Sequence, residues 1–262
     1  MGIRIIAIQR DRCYCPNGPQ ADEAMLKAVI SCLHDEVTMV EERQLSPDLP
    51  LLLDSHHINT ILSMGRMPET LTILKDCQTK GIRVINRPEA VERCTRSIIH
   101  RIMQDCDVPM PKEGMVGFWL KRGDANAHEH GDVVFCKDSC QLEEAKMSFL
   151  HRGITQWIVS PHVEGTNLKF YAVGHRFFRC FPVGLLSNQR HKELHEAVVK
   201  VAEAIGIDIY GGDCIVDKQG DFYLIDFNDW PSFAPCRDEA AEAIVHVISS
   251  EWQTAASTLP ET

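Results

Sequence analysis

A chain of 262 residues that is 44% hydrophobic and 24% charged is ordinary globular material, long enough for one large domain or two to three lobes. A formal net charge of −10 argues against binding of nucleic acid or an anionic membrane by the surface as a whole. The 11 cysteines are odd in number and scattered without a pairing framework, which fits reduced thiols in a cytoplasmic protein. Cys13-x-Cys15 and His128-x-His130 lack the second pair that a structural zinc site needs. The apolar run at the start of the chain is too short for a signal peptide or a membrane span.

Strand and helix signals alternate first. An apolar run at 3–8 reads as a buried strand, and 9–20 as a polar loop with Pro16, Asn17, Gly18 and Pro19. Residues 21–34 carry an apolar stripe at helical spacing through Met25, Val29, Cys32 and Leu33. Strands are expected at 37–40 and 58–63, joined by a proline-containing connection over 45–55. A helix over 68–80, stopped by Gly81, and a strand at 82–85 follow. This alternation predicts a small parallel α/β lobe over 1–86. Ligands of such sheets bind beyond the carboxyl ends of the strands, which puts the loop 10–18, with Arg10 and Arg12, and Met64-Gly65-Arg66 at a candidate substrate mouth.

Asn86-Arg87-Pro88 opens a helix expected to run to Asp105 and to end before Val108-Pro109-Met110-Pro111. Residues 116–122 are apolar up to Lys121, 123–131 form a polar loop, 132–136 a strand and 139–150 an acidic amphipathic helix. A strand at 156–159 leads into Ser160-Pro161-His162-Val163-Glu164-Gly165. Residues 168–174 alternate as a half-buried strand does, 176–183 pair back, and 190–205 form a helix with Leu194, Val198, Val201 and Ile205 in one stripe. A last amphipathic helix covers 238–252, before a short tail.

Between those last two helices lies a hairpin with acids where a core should be. Its strands flank the turn Lys218-Gln219-Gly220-Asp221. With that loop, Asp217 faces Phe222 and Asp213 faces Asp226, while the period of two sets Asn228 on the same face as Asp226. An ionised carboxylate flanked by Ile225 and Phe227 needs a partner. Two carboxylates and an amide suit Mg²⁺, which takes further oxygens from water and from the phosphates of a nucleotide, so Asp213, Asp226 and Asn228 are candidate metal ligands.

The pattern G-x-D on one strand and D-x-N-x-x-P-x-F on the next, preceded by N-x-P-x-A, a helix and V-P-x-P, resembles the ATP-grasp superfamily over roughly 86–250. The resemblance implies an α/β (α+β) ATP-grasp fold: a small N-terminal parallel lobe over 1–86, then a nucleotide-binding region over 87–262 whose lobes cover about 112–163 and 164–253. It implies ATP and Mg²⁺ as cofactors. Lys121 corresponds to a lysine near the α- and β-phosphates, and Arg96 stands where the family usually has a further phosphate-binding Lys. Ser160, His162, Val163 and Glu164 fall on the linker that meets adenine and ribose, Glu164 on the ribose hydroxyls. Lys169 corresponds to the cation facing the transferred phosphate, with Arg179 as another phosphate partner. The loop 123–131 takes the place of a phosphate-covering loop that is commonly richer in glycine, leaving room for His128 or His130.

Most of the superfamily are ligases, so the expected reaction is activation of a small-molecule or peptide carboxylate as an acyl phosphate, captured by an amine or thiol. Many members have Glu where Asp226 stands, and Asp there is similar to the inositol phosphate kinase branch, which makes a kinase the alternative. A nucleotide-binding regulator without turnover is a third reading, kept by Arg96 and the glycine-poor loop. Arg12 and Arg66 are the expected contacts for an anionic acceptor. Nucleic acid and membranes are not expected partners; a homodimer is allowed for.

Overall fold

The computed structural model describes residues 4–15, 18–33, 36–45, 49, 58–112, 116–124 and 131–256, with side chains as far as 249. Three sheets organise these residues. The first is parallel, in the order β2-β1-β3-β4, and contains β1 (Arg4–Gln9), β2 (Glu36–Glu41), β3 (Thr60–Ser63) and β4 (Arg83–Ile85). Helix α1 (Pro19–Cys32) joins β1 to β2, and α2 (Pro68–Thr79) joins β3 to β4. Each starts on a proline, whose missing N–H is no loss in a first turn. Gly18, at φ 84°, turns the chain straight into Pro19, so α1 begins earlier than its apolar stripe suggests.

β1, β3 and β4 are covered on both faces, as strands of a parallel sheet usually are, while the edge strand β2 stays largely exposed. Ile6, Ile8, Ile61 and Val84 pack with Leu74 and Cys77 of α2. On the other face, Ile5, Ala7, Leu62 and Ile85 meet Met25, Leu26 and Val29 of α1. The same core takes in Ala240, Ala241, Ile244 and Ile248 of the last helix, α7 (Arg237–Ala256). Arg83 fastens that helix, donating to Ile248 O at 2.8 Å and Val247 O at 3.0 Å. A division at residue 86 therefore separates sheets but not cores.

The single helix expected to end at Asp105 is two, α3 (Pro88–Arg93) and α4 (Arg96–Asp105). The break has a tertiary cause. Ser97 donates from its N at 3.1 Å and its Oγ at 3.0 Å to Gly123 O, and Arg96 donates to Arg122 O at 3.0 Å. These bonds tie the start of α4 to the end of β5 (Phe118–Arg122). With β6 (Val133–Cys136) and β7 (Trp157–Pro161), β5 forms an antiparallel sheet in the order β6-β5-β7, covered by α5 (Ser139–His151) through Leu142 and Phe149. Asp138 caps α5 by accepting from Gln141 N at 2.9 Å.

The third sheet, antiparallel in the order β11-β10-β8-β9, contains β8 (Thr166–Val173), β9 (Phe177–Phe181), β10 (Ile209–Val216) and β11 (Phe222–Asp229). One face is covered by α6 (Asn188–Ile205), whose Leu194, Val198, Val201 and Ile205 pack on Leu168, Phe170, Ala172 and Leu224. Each such burial contributes roughly 1.5–3 kcal/mol.

The β10–β11 hairpin differs from the expected register in one respect. Val216, not Asp217, pairs with Phe222, so the loop runs over 217–221 and Ile225 is bulged out between Leu224 and Asp226. Asp217 belongs to the loop because its Oδ1 accepts from Gln219 N at 2.9 Å and Asp221 N at 3.0 Å, closing the turn locally. The bulge then restores Asp213 to a place opposite Asp226. No helix among the described residues is long and apolar enough to cross a membrane.

Candidate functional site

The second and third sheets enclose a cavity of about 550 Å³, within the range of small-molecule sites. Trp119 and Lys121, two apart on β5 and so on one face of it, line it with Val133 of β6. The segment at the end of β7 and beyond supplies Ser160, Pro161, His162, Val163 and Glu164; Asn167, Ile215 and Ile225 of the third sheet complete the lining. Gly165 lets this segment close on the hairpin, since a Cβ there would stand 2.3 Å from Val216 O. Trp119 Nε1 donates to His162 Nδ1 at 3.1 Å, and the Phe135 ring meets His162 edge-on at 5.1 Å. These contacts stiffen one wall.

Lys121 is only 8% exposed. Its Nζ donates to Ile225 O at 3.1 Å, and Ile225 is the bulged residue, without a partner across the ladder. Burial draws the Lys121 pKa down, Asp226 draws it up, and Arg96 draws it down again. One irregularity thus keeps Asp213 opposite Asp226 and offers Lys121 a carbonyl.

Lys169, Asp213 and Asp226 form a row across β8, β10 and β11, each opposite the next. Lys169 Nζ lies 2.8 Å from Asp213 Oδ1. Partial burial opposes the charged lysine, but that bond and the Asp213 charge win and hold its pKa up. Asp226 Oδ1 accepts from Phe227 N at 3.0 Å, and Oδ2 lies 3.8 Å from Arg96 Nη2. Asn228, opposite Gly211, is two residues along and on the same face. Two carboxylates and an amide, each half-buried, are a hard oxygen set that fits Mg²⁺. Among the described residues, no group of three or more His, Cys, Asp or Glu side chains could hold a metal instead.

Arg66 and Arg179, the other expected anion contacts, each meet a carboxylate of this chain. Arg66 is inside, with its side chain 9% exposed and ion-paired to Asp229, which is fully buried at the end of β11. Burial and the nearby Arg10 charge draw its pKa down to about 10. Arg179 on β9 donates from Nε to Glu239 in the first turn of α7 at 2.9 Å, and lies over the Phe177 ring. Arg179 keeps about half of its side chain exposed beside Glu239, whereas Arg66 is held inside by Asp229.

Arg12 is exposed and lines a second cavity, of about 570 Å³, at the carboxyl ends of β1 and β2. His128 and His130 lie outside the described residues. Beside Arg12, burial pushes the Asp11 pKa up, but hydrogen bonds from Cys13 and Arg43 overcome it and hold the carboxyl at about 2, against an ordinary 3.8. A pKa depressed by folding contributes stability that is complete above about pH 4 and lost as pH falls toward 2. Acid unfolding followed by circular dichroism should show Asp11→Asn lacking that part of the pH dependence; an unchanged curve would dissociate Asp11 from the acid transition.

Trp119, Val133, Asn167, Ile215 and Ile225 are the cavity residues that sequence reasoning missed. Trp119 was within its reach, two positions before Lys121 on a strand. Ile225 was not, because its placement depends on the bulge.

No protein-family profile and no curated protein matches the chain. Solved structures do align with it over nearly its whole length. D-alanine–D-alanine ligase from Bacillus anthracis aligns at TM-score 0.70 and 11% identity, covering 97% of this chain and 99% of that one. The RimK domain ATP-grasp protein from Sphaerobacter thermophilus gives 0.63 and 15%, over 92% and 97% of the two chains. The chain has the ATP-grasp fold. Biotin carboxylase from Campylobacter jejuni, in a β,γ-ATP complex, aligns at 0.62 and 16%, covering 94% of this chain and 70% of that one. At these identities the likeness shows the fold alone.

Proposed function

We propose that this chain is a Mg-ATP-dependent ligase that activates a small-molecule or peptide carboxylate as an acyl phosphate for capture by an amine or thiol. One observation carries the reading: Lys121 and the 160–164 wall line one cavity, and Lys121 feels the charges of Asp226 and Asp213. Adenine and ribose would lie between the sheets against Ser160, His162, Val163 and Glu164. Lys121 then meets the α- and β-phosphates, Lys169 faces the transferred phosphoryl group, and Arg96 steadies Asp226. Asp213, Asp226 and Asn228 would hold Mg²⁺, which when bound neutralises charge on the β- and γ-phosphates.

No protein nucleophile is needed. The acceptor carboxylate attacks the γ-phosphorus and ADP leaves; the amine then attacks the acyl carbon and phosphate leaves. The chain's part is positioning and charge. The aligned proteins include ligases and a carboxylase by name, which supports ligation over other uses of ATP. Asp226 in place of the commoner Glu favours one second reading, a kinase of the inositol phosphate kinase type with a hydroxyl as acceptor.

The test is ADP release screened against pooled amino acids, hydroxy acids and polyols with Mg-ATP. Amide or thioester formation supports the ligase, a phosphorylated product replaces it with the kinase, and no acceptor-stimulated release refutes both. Lys121→Met is expected to raise the Kd for ATP at least about tenfold, ~1.4 kcal/mol for one charge-assisted phosphate contact. Its melting temperature should hold, because the change removes a buried charge. Unchanged affinity in calorimetry would take Lys121 out of the site.

A further inference from the structure

We propose that the bulged residue Ile225 is a positioning residue of the cavity between the second and third sheets: its backbone carbonyl holds the Lys121 ammonium in place for a nucleotide phosphate without neutralising it; that the ligand is a nucleotide rests on the ligase reading above. Neither the core nor the row of acids needs the extra residue. Phe222, Leu224 and Phe227 all lie in the core under α6, although Leu224 and Phe227 are an odd number of positions apart. Leu224 stands opposite Cys214 and Asp226 opposite Asp213, with Ile225 unmatched between them. With Ile225 taken out, β11 would alternate without interruption, Leu224 and Phe227 inward and Asp226 still facing Asp213. What the extra residue adds is an apolar side chain in the cavity lining and a carbonyl that meets β5.

That carbonyl accepts from Lys121 Nζ at 3.1 Å, a bond that runs from one sheet to the other. Lys121 is buried, and among the described residues it forms no ion pair. Lys169, by contrast, is bound to Asp213, and Arg66 to Asp229. A buried ammonium without any partner is costly, whereas a carboxylate at contact distance would cancel its charge and compete with an incoming phosphate. A carbonyl avoids both. It takes one of the three ammonium N–H groups and leaves the others, with the whole positive charge, for an anion in the cavity. Burial draws the Lys121 pKa down, and Asp226 and Asp213 act against it as charges rather than as contact partners.

The test is calorimetry of Mg-ADP binding to the full chain, comparing deletion of Ile225 with Ile225→Ala, which keeps the carbonyl and loses most of the side chain. We expect the deletion to weaken binding at least about tenfold beyond Ile225→Ala, the scale of one charge-assisted phosphate contact. In a Lys121→Met background the deletion and Ile225→Ala should cost the same, because the carbonyl then has no ammonium to hold. A residue that merely shaped the strand would give the same extra loss in both backgrounds. That result, or equal affinities of the deletion and Ile225→Ala with Lys121 in place, would overturn the proposal. A second measurement stands even if the deletion variant does not fold. In ¹⁵N spectra of the lysine ammonium groups, the nucleotide-free protein should show a slowly exchanging signal that disappears in Lys121→Met. A Lys121 ammonium exchanging as fast as that of exposed Lys218 would overturn the hold directly. Failure of the ligase reading would appear separately, as a wild type that binds no Mg-ADP while the slowly exchanging ammonium remains.

Discussion

Asp226→Asn is expected to lower turnover by about 10²–10³-fold while the protein remains folded. Asp226 sits in the Lys169–Asp213–Asp226 row, and its loss removes one of the two carboxylates proposed to hold Mg²⁺. Judged from the hairpin alone, two facing acids repel, and removing one should leave stability equal or higher. The surroundings reverse that sign. Asp226 offsets the charge of buried Lys121 and stands 3.8 Å from Arg96, while Lys169 is bound to Asp213, so the amide leaves three cations facing a single carboxylate. The melting temperature should therefore fall by a few degrees, on the order of 1–2 kcal/mol. Two measurements check this together: acceptor-stimulated ADP release, and the rise in melting temperature that Mg-ADP gives the wild type and should no longer give the variant. Wild-type turnover would sink the metal reading, and outright unfolding would make Asp226 a structural residue.

Arg66→Ala is expected to destabilise the protein by about 3–5 kcal/mol, roughly 10 °C in melting temperature, because it strands a fully buried carboxylate. Asp229 has no exposed side-chain surface, and Arg66 is its ion-pair partner. Replacing both, Arg66→Met with Asp229→Leu, should recover most of the loss, since a buried pair exchanged for apolar side chains is close to neutral. This outcome separates the two roles considered for Arg66. A residue holding an acceptor anion would lower acceptor affinity when removed and leave the melting curve in place. A strut between the β3–α2 loop and the end of β11 does the reverse: the single variant melts early and the double variant does not. Thermal denaturation of the three proteins decides it, and an unchanged melt for Arg66→Ala would return Arg66 to the list of ligand contacts.

Local periodicity and residue chemistry determined a good deal about this protein. The apolar runs of the first lobe, the helix stripe through Leu194, Val198 and Val201, and the hairpin with Asp213 opposite Asp226 depend on interactions within a few residues or on one face. The ATP-grasp fold was legible only as a family resemblance, carried by the order of its motifs along the chain. Tertiary structure decided which carboxylate each cation meets. Arg66, Arg179 and Lys169 look alike as basic residues near expected phosphates, but Asp229 and Glu239 approach the first two from parts of the chain 163 and 60 residues away. Lys169 instead belongs to the carboxylate row, bound to the Asp213 that faces it across the ladder. The bulge at Ile225 is of the same kind. A one-residue slip in a ladder leaves no mark on composition, and it appears only when Asp217 closes its own turn while Asp213 and Asp226 still meet. Charges and strand faces are properties of segments, whereas pairing of buried charges is a property of the closed core, where a guanidinium and a carboxylate must each find a partner or pay for desolvation.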